Sequence, residues 1–400
     1  MDDAPLAADV NVSSVRTWDP YIQRLAVPDG SMGESSLLPL CMPWLSKMRR
    51  FIRRFMLFPD EQMFWIISCV MAAMKAIVVR QYDGIVATGA PWSSLVAAYY
   101  VSRRAGIPFI VDYQDVWSIS PSLTTRRGRW RRGALDRMHR LLITKCAGVT
   151  AVNREVLEDI HAAAGVIERR VAIVPIGYDE ELARKASLVE HQRDRGHLRI
   201  SYFGSLYEGR VVQGLAEAMD RVLNAATNHR ITMNFAGCDV PPELATLTVR
   251  HPRFNAVSHG IVPRDELTRF IGTTDVFLLI TSKNYRAEHT SKLFDYMAMK
   301  RPILAIAPLE GAAARVIRQC NLGVVAEHDN GPALDACIHT FLSGTSDAMV
   351  SSGLVEAYEG GHCGENTASF LRDVFSSTVG SQTLRATNVD REGAGGRQGK

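Results

Sequence analysis

The stretch IVATGAPWSSLVAAYYVSRRAGIPFIVDYQDVWS, residues 85–118, contains a complete strand–helix–strand unit. The apolar run 84–89 predicts a strand that ends at a glycine, and 108–113 predicts a second strand. Between them, 91–106 has a proline at its start and a glycine at its end, the order typical of a helix. Two short apolar strands joined by a helix run parallel, so this stretch predicts an α/β sheet with both faces covered.

The same alternation of strand and helix continues along most of the chain. Further strands are predicted at 148–153, 171–177, 198–204, 230–237, 254–262, 275–281, 302–308 and 323–328. A polar stretch after the fourth strand interrupts the series, which predicts two Rossmann-like, doubly wound domains that face a cleft. The predicted parts are an irregular N-terminal segment 1–57, a first domain 58–185, a linker 186–197, a second domain 198–345, a helical segment 346–376 and a disordered tail 377–400.

Composition indicates an ordinary globular protein, with 46% hydrophobic residues and a net charge of +4 over 400 residues. The seven cysteines follow no disulfide or zinc spacing, which indicates a reducing compartment. The acidic N-terminus has no apolar leader, so we expect the protein in the cytoplasm. The longest apolar segment, 63–79, contains Lys75 and is short for a membrane span. No phosphate-binding GxxxxGK[ST], dinucleotide-binding GxGxxG or hydrolase GxSxG motif is present, which disfavours those three enzyme classes.

Two basic runs, 47–54 and 126–132, each carry five positive charges. Such runs suit an anionic membrane surface or phosphate groups, and a solvated surface is the simpler alternative. The chain has no sign of a nucleic-acid recognition fold, so we expect no nucleic-acid partner.

The segment AEHTSKLFDYMAMKRPILA, 287–305, predicts a helix that begins with a misplaced charge. Lys292 falls in the first turn, where the helix dipole disfavours a cation, and Thr290 and Ser291 precede it, where backbone N–H groups lack helical partners. Lys292 and Asp295 share a face and project toward the helix start. We interpret this as a diphosphate site with Asp295 placed for a ribose diol; the alternative is an exposed ion pair.

Two other turns of the second domain carry candidate ligand-binding residues. Gly204 ends the strand 198–204 and allows close approach to the backbone, and Arg210 follows with a planar fork suited to phosphate oxygens. His259 and Gly260 lie at a later strand end, where they can contact a base or a ribose. A surface arginine and a structural histidine are the alternatives.

The first domain contributes polar residues after its first two strands. Gly89 and Ser93 follow the first strand, and Asp112 and Asp115 follow the second, so all four are predicted to line the cleft. The two aspartates are candidate acids or bases, although aspartate at a strand end often only shapes a turn.

These segments, in this order and spacing, resemble a GT-B glycosyltransferase of the family 4 type. The matching segments are 58–65, 85–118, 147–156, 174–179, 200–210, 259–267 and 290–305. The resemblance implies that Arg210 and Lys292 hold the donor diphosphate. It implies that Asp295 is the second acid of an E-x7-E motif, which holds the ribose. The first acid of that motif would be residue 287, which is alanine, so Glu288, one position later, is the candidate to face the donor sugar.

The chain departs from the family in two further places. Gln114 replaces the arginine of a D-x-R-D-x-W pattern. Residues 1–57 contain no convincing copy of the family's first strand and Gly-rich loop, so the first domain is expected to be shortened at its N-terminus.

The resemblance implies a hexosyltransferase that moves a sugar from a nucleoside-diphosphate sugar to an acceptor hydroxyl. It implies retention of configuration. No acidic D-x-D-type metal pair stands near the candidate ligand-binding turns, so we expect no metal or cofactor, with the nucleotide sugar as co-substrate. We expect a lipid-linked or glycan acceptor in cell-surface polysaccharide or glycolipid synthesis, with peripheral attachment to the inner face of the membrane left open. The alternatives are a sugar-nucleotide epimerase of the same fold and a non-catalytic glycosyltransferase-like partner protein.

Overall fold

The computed structural model describes residues 58–117, 126–192, 194, 196–206, 210–225, 228–288, 290–344 and 355–394. The segment 1–57, with its basic run 47–54, therefore lies outside the described residues, and so does the expected shortening of the first domain at its N-terminus. The described residues form two compact units. The second unit consists of Ala151–Ile160 and Ala172–Leu371, and the first consists of the described residues on either side of these segments. The domain boundaries drawn from sequence polarity stay predictions.

The first sheet has four strands in the order β1-β2-β3-β4. Its strands are β1 Ile85–Gly89, β2 Phe109–Tyr113, β3 Gly148–Ala151 and β4 Arg170–Ile173. The helices of this part of the chain are α1 Trp65–Val79, α2 Trp92–Ala105, α3 Arg126–Lys145 and α4 Arg154–Ala164. β1 and β2 are parallel, as predicted, with Ile85 opposite Phe109. The helix between them ends at Gly106, whose φ of 70° is left-handed and whose N–H donates to Ser102 O at 2.9 Å.

The second sheet has six parallel strands in the order β10-β9-β8-β5-β6-β7. Its strands are β5 His197–Phe203, β6 Arg230–Ala236, β7 Phe254–Ser258, β8 Val276–Ile280, β9 Ile303–Ile306 and β10 Gly323–Ala326. The chain runs from β5 outward to β7 and then returns beside β5 as β8. This reversal between β5 and β8 is the topological switch point of a doubly wound sheet, where ligands bind at the carboxyl ends of strands. The two-sheet α/β architecture confirms the predicted fold class.

Helices cover both faces of the second sheet. They are α5 Glu180–Ser187, α6 Gln213–Asn224, α7 Pro242–Arg250, α8 Ser291–Ala298, α9 Ala312–Gln319 and α10 Gly331–Leu342, with 3-10 helices at Arg264–Thr273 and Glu356–Tyr358. The last helix, α11 Gly360–Ala394, begins in the second unit and belongs to the first unit from Arg372 onward. On one face, Ile200 and Tyr202 of β5 pack in a cluster with α6, α7 and α10. On the other, Phe203 and Phe277 pack with α8 and α9. Successive residues of β5 therefore point to opposite faces, and both are buried.

Several helices were not predicted from the sequence. α5 lies at the end of the predicted first domain 58–185 and reaches only Ala186 and Ser187 of the predicted linker 186–197. Asp179 caps it by accepting from the N–H groups of Glu181 and Leu182, and only Leu182 and Ala186 are buried on it. Two apolar positions are too few to produce a readable helical period. The last helix also continues to Ala394, whereas the sequence suggested a helix that ends at 376.

None of the helices in the described part of the chain combines the length and apolar character needed to cross a bilayer.

Candidate functional site

The switch point of the second sheet is built around Gly204, the first residue after β5. Its φ of +95° is left-handed, and its N–H donates to Ala236 O at 2.6 Å. A Cβ at this position would lie 2.6 Å from Cε and 3.1 Å from Nζ of Lys292. The absence of a side chain at Gly204 is therefore what makes room for the lysine beside the strand end.

Two more glycines continue this edge at the ends of the neighbouring strands. Gly237 follows β6 with φ +96°, and its N–H donates to Gly260 O at 2.6 Å. A Cβ on Gly237 would come within 2.9 Å of Gly204 Cα, so these two backbones touch. Gly260 follows β7 with φ +66° and has nothing within 4 Å of its Cβ position. The predicted Gly204 and Gly260 thus belong to a row of three, whose middle member we did not single out.

Lys292 is the second residue of α8 and bends over the end of β5. Its Nζ donates to Tyr202 Oη at 2.7 Å and to Ser205 O at 3.3 Å, and lies 4.3 Å from the centre of the Tyr202 ring. Burial, and secondarily the charge of Arg210, lowers the pKa of Lys292 to about 8. The ammonium is therefore charged at neutral pH but is poorly stabilised without a nearby anion.

Arg210 and Glu288 form a buried ion pair next to this lysine. Arg210 Nη2 donates to Glu288 Oε1 at 2.6 Å, and only 2% of the arginine side chain and 16% of the glutamate side chain are exposed. Arg210 Nη1 also donates to Ser205 O at 3.3 Å. Since Lys292 donates to the same carbonyl, Ser205 brings the two predicted diphosphate-binding cations together. The second oxygen of Glu288 accepts the N–H of Ser282.

The start of α8 adds hydrogen-bonding groups to the same place. Thr290 precedes the helix with extended backbone but its side chain does not cap it. Thr290 Oγ1 is buried and has no hydrogen-bond partner among the described residues. Ser291, the first helical residue, is exposed. A hydroxyl and the free N–H groups of a helix start therefore lie beside Lys292.

α8 is fixed to β5 through Tyr296. The N–H of Phe203 donates to Tyr296 Oη at 3.0 Å, and the Tyr296 ring stacks on Phe277 with centroids 4.4 Å apart. This contact holds the helix that carries Lys292 and the half-buried Asp295. The predicted relation of Lys292 and Asp295, three residues apart on one helix, is present; the ribose-binding role of Asp295 stays a prediction.

His259 lies at the end of β7 with its ring held in place. Its Nε2 is 3.0 Å from Asn234 Oδ1, and its ring packs edge-on against Phe270 at 4.9 Å. Burial and the charge of Arg269 lower the pKa of His259 below its usual value. The imidazole is therefore neutral at pH 7 and suited to hydrogen bonding rather than ion pairing.

In the first unit, Asp112 is engaged by its neighbours. Its Oδ1 accepts from Thr150 Oγ1 at 2.6 Å and its Oδ2 from Gln114 Nε2 at 2.8 Å. Gln114 thus occupies the arginine position of the family pattern and binds this carboxylate. Asp115 is exposed. A catalytic role for either aspartate stays a prediction.

Gly89 and Ser93 flank the start of α2. Ser93 is fully buried, its N–H donates to Asp60 Oδ2 at 2.9 Å, and its hydroxyl donates to Asp60 Oδ1 at 2.5 Å. A Cβ at Gly89 would meet the Trp92 ring at 2.6 Å, and its carbonyl accepts from the N–H of Gln114 at 3.1 Å. Both residues therefore help to build this turn, and contact of either with a substrate stays a prediction.

Sequence reasoning missed three contributors to the site: Tyr202, Ser205 and Gly237. Tyr202 reads as a core residue of an apolar strand, and only its hydroxyl, at the strand end, reaches Lys292. Ser205 acts through its backbone carbonyl, which no side-chain pattern reveals. Gly237 could have been recognised from the sequence, because the predicted strand 230–237 ends at a glycine just as the strand 198–204 does.

Over the residues that the structure describes, no three His, Cys, Asp or Glu side chains form a group able to hold a metal ion. Metal independence of the reaction stays a prediction.

Residues 9–177 match the family described as Glycosyl transferase 4-like domain. The match begins within the segment 1–57, which we predicted to lie outside the first domain. No protein of curated function matches the sequence.

Solved structures of glycosyltransferases have the same fold at low sequence identity. Sucrose-phosphate synthase from Thermosynechococcus elongatus is 14% identical over 79% of each chain, with a TM-score of 0.58. The lipopolysaccharide outer core galactosyltransferase WaaB is 15% identical over 82% of each chain, with a TM-score of 0.53. A UDP-forming trehalose-phosphate synthase from Burkholderia xenovorans is 13% identical over 81% of this chain and 79% of its own, with a TM-score of 0.51. Residues 9–177 therefore carry a glycosyl transferase 4-like domain, and the chain as a whole has the fold of the GT-B glycosyltransferases.

Proposed function

We propose that the protein is a hexosyltransferase that moves a sugar from a nucleoside-diphosphate sugar to an acceptor hydroxyl, with the donor diphosphate at the switch point of the second sheet. The observation that carries this proposal is the convergence of Arg210 and Lys292 on the carbonyl of Ser205, next to the start of α8. Two cations and a helix N-terminus at one point are a strong anion site.

The same groups would act in the transfer step. Cleavage of the anomeric bond leaves negative charge on the nucleoside diphosphate. Lys292, Arg210 and the N–H groups of α8 would stabilise that charge as it develops, in a site where burial strengthens each interaction. We further propose retention of configuration and independence from metal, since the leaving group is neutralised by side chains of the protein.

Glu288 would regulate how much of the positive charge of Arg210 reaches the donor. Its carboxylate pairs with Arg210 at 2.6 Å. A bound diphosphate would share the guanidinium, which has five N–H donors and can serve both partners. Asp295 would then accept from the ribose, and His259 or Gly260 would lie near the base.

The names of the structural neighbours support a nucleotide donor and a glycan acceptor. One neighbour is UDP-forming, so its donor leaves as a nucleoside diphosphate. Another is a lipopolysaccharide outer core galactosyltransferase, so its product is a cell-surface glycan. For this chain we propose a lipid-linked or glycan acceptor in the synthesis of such a product.

The basic run 126–132 at the start of α3 would bring the enzyme to an anionic membrane that carries this acceptor. Trp130 is 75% exposed, and the exposed Arg129 lies beside it. An exposed tryptophan with arginines is typical of a membrane-surface contact. Arg131 is committed elsewhere, since its Nη2 donates to Pro59 O at 3.0 Å.

Turnover of a panel of UDP- and GDP-sugars, followed as release of the nucleoside diphosphate, tests the proposal. We expect at least one donor to be turned over, and Lys292→Ala to reduce kcat roughly 100-fold, the typical effect of removing one charge-stabilising donor. Lys185→Ala, which removes an exposed lysine of α5 in the same unit, is the matched control and should leave kcat unchanged. Normal turnover by Lys292→Ala would refute the site, and a bound nucleotide sugar released as an epimer would favour the epimerase alternative.

A further inference from the structure

The loop 282–290, which we call the donor loop, joins β8 to α8 and carries Glu288. Its described residues form turns but no strand or helix. The direction of the Glu288 side chain, and with it the state of Arg210, therefore depends on contacts that hold this loop. Those contacts come from the first two turns of α4, which belong to the same compact unit.

Asn153 makes the most buried of these contacts. It is 1% exposed, and its Nδ2 donates to Ala287 O at 3.0 Å. Its Oδ1 accepts from the N–H of Val156 at 2.8 Å, which caps the start of α4. One amide thus ties the residue next to Glu288 to a helix end. Asparagine is required for both contacts, because a carboxylate can accept from Val156 but cannot donate to Ala287.

Arg286 holds the donor loop from the other side of Ala287. Its Nη1 donates to Glu158 Oε2 and its Nη2 to Asp159 Oδ1, both at 3.0 Å. Its carbonyl accepts from the N–H of Ala312 at the start of α9, at 2.8 Å. The hydrogen bonds to Asp159 and Glu158 raise the pKa of Arg286, and the bond to Arg286 lowers the pKa of Glu158. Residues 286 and 287 are therefore fixed by both side chain and backbone.

A second ion pair fixes α9 to the same part of α4. Arg315 donates from Nε to Glu155 Oε1 at 2.8 Å and from Nη2 to Glu155 Oε2 at 2.9 Å. Only 6% of the Glu155 side chain is exposed, so this bidentate pair is well shielded from water. The donor loop is thus held directly by α4 and indirectly through α9.

We propose that Asn153 and Arg286 are positioning residues for donor binding. They hold residues 286 and 287 so that Glu288 meets Arg210 with the correct geometry, and thereby set the shape and charge of the diphosphate site. This inference rests on the proposed function. It assigns no chemical step to Asn153 or Arg286, which lie behind the groups that contact the donor.

The first test follows the donor loop without any ligand. Hydrogen exchange of the peptide that contains Ser282 reports on the bond from its N–H to Glu288. We expect faster exchange in Asn153→Asp and in Arg286→Ala than in the wild type, with a melting temperature close to that of the wild type. Arg184→Ala removes an exposed ion pair of α5 at 2.7 Å and is the matched control, with unchanged exchange. Unchanged exchange in both loop variants would overturn the proposal.

The second test measures the affinity for UDP and GDP by calorimetry. We expect Asn153→Asp to weaken binding about tenfold in the wild-type background, because Arg210 is then no longer held in position by its charged hydrogen bond to Glu288. It should have no further effect in Glu288→Ala, which removes that bond outright. An Asn153 effect of equal size in both backgrounds would contradict positioning through Glu288. If the wild type binds neither nucleotide, the proposed function fails, and the exchange experiment still decides whether α4 holds the loop.

Discussion

Lys292 is the site residue whose position most clearly opposes the usual preferences for a charged side chain. It stands in the first turn of a helix, where the dipole opposes its charge, and it is largely removed from water. Tyr202 and the carbonyl of Ser205 compensate only partly, since the pKa of Lys292 stays lowered to about 8 by burial. A buried cation with a lowered pKa is stabilised when an anionic ligand binds beside it.

The pH dependence of nucleotide binding follows from this lysine. Above pH 8 the free protein loses the Lys292 proton, whereas the diphosphate remains ionised, so affinity for UDP or GDP should fall as pH rises. We expect a decrease of about tenfold between pH 8 and 9.5, together with proton uptake on binding in that window. Calorimetry in buffers of different ionisation enthalpy measures both.

Lys292→Arg provides the control for this dependence, because an arginine stays protonated throughout the range. Its affinity for the nucleotide should be flat between pH 7 and 9.5. An affinity of the wild type that does not change with pH would show that the Lys292 charge is not used in binding.

At the scale of single residues, the sequence predicted the two cations but not how they are held. Arg210 and Lys292 follow strand ends, and strand ends are recognisable from composition. The pairing of Arg210 with Glu288 joins residues 78 positions apart, and nothing local encodes it. We assigned Glu288 to the donor sugar from the family motif; in the structure its carboxylate contacts Arg210 and the N–H of Ser282, and its contact with a sugar stays a prediction.

At the scale of elements, the carboxyl edge of β5, β6 and β7 is a row of three left-handed glycines. At both Gly204 and Gly260 the left-handed backbone would be strained by a side chain. Only at Gly204 would that side chain also collide with Lys292. Gly260→Ala should therefore cost about 1–2 kcal/mol of unfolding free energy, the usual penalty of a left-handed residue. Gly204→Ala should cost more, because its Cβ also displaces the lysine.

A double-mutant cycle separates these two contributions. In the Lys292→Ala background, the extra cost of Gly204→Ala over Gly260→Ala should disappear, as measured by denaturant unfolding. An extra cost that survives without the lysine side chain would mean that Gly204 is required for some other contact.

Among elements, the strands and most helices were predictable, while α5 and α7 were not. The apolar runs of the second sheet are buried on both faces and stand out from their surroundings. α5 and α7 expose most of their residues, with two buried positions each, so their period is hidden in polar sequence. Arg264–Thr273 forms a 3-10 helix, in which side chains three positions apart lie on one face.

At the scale of the whole molecule, the fold matches that of solved glycosyltransferase structures at low sequence identity. The sucrose-phosphate synthase neighbour shares only 14% of its residues with this chain over 79% of both. In this chain the strand order places the switch point between β5 and β8, and Arg210 and Lys292 lie together at this point. The fold does not identify an acceptor site in the same manner. The candidates of the first unit, Asp112 and Ser93, make hydrogen bonds that stabilise their own turns.

The central claim is that the switch point of the second unit binds a nucleoside diphosphate through Arg210 and Lys292. Calorimetric titration of UDP and GDP into the wild type, Arg210→Lys and Lys292→Ala tests it most directly. We predict that the wild type binds at least one of the two nucleotides and that each variant binds it about tenfold or more weakly, as expected for loss of a charged hydrogen bond. Wild-type affinity in both variants, or no binding of either nucleotide by the wild type, would contradict the account.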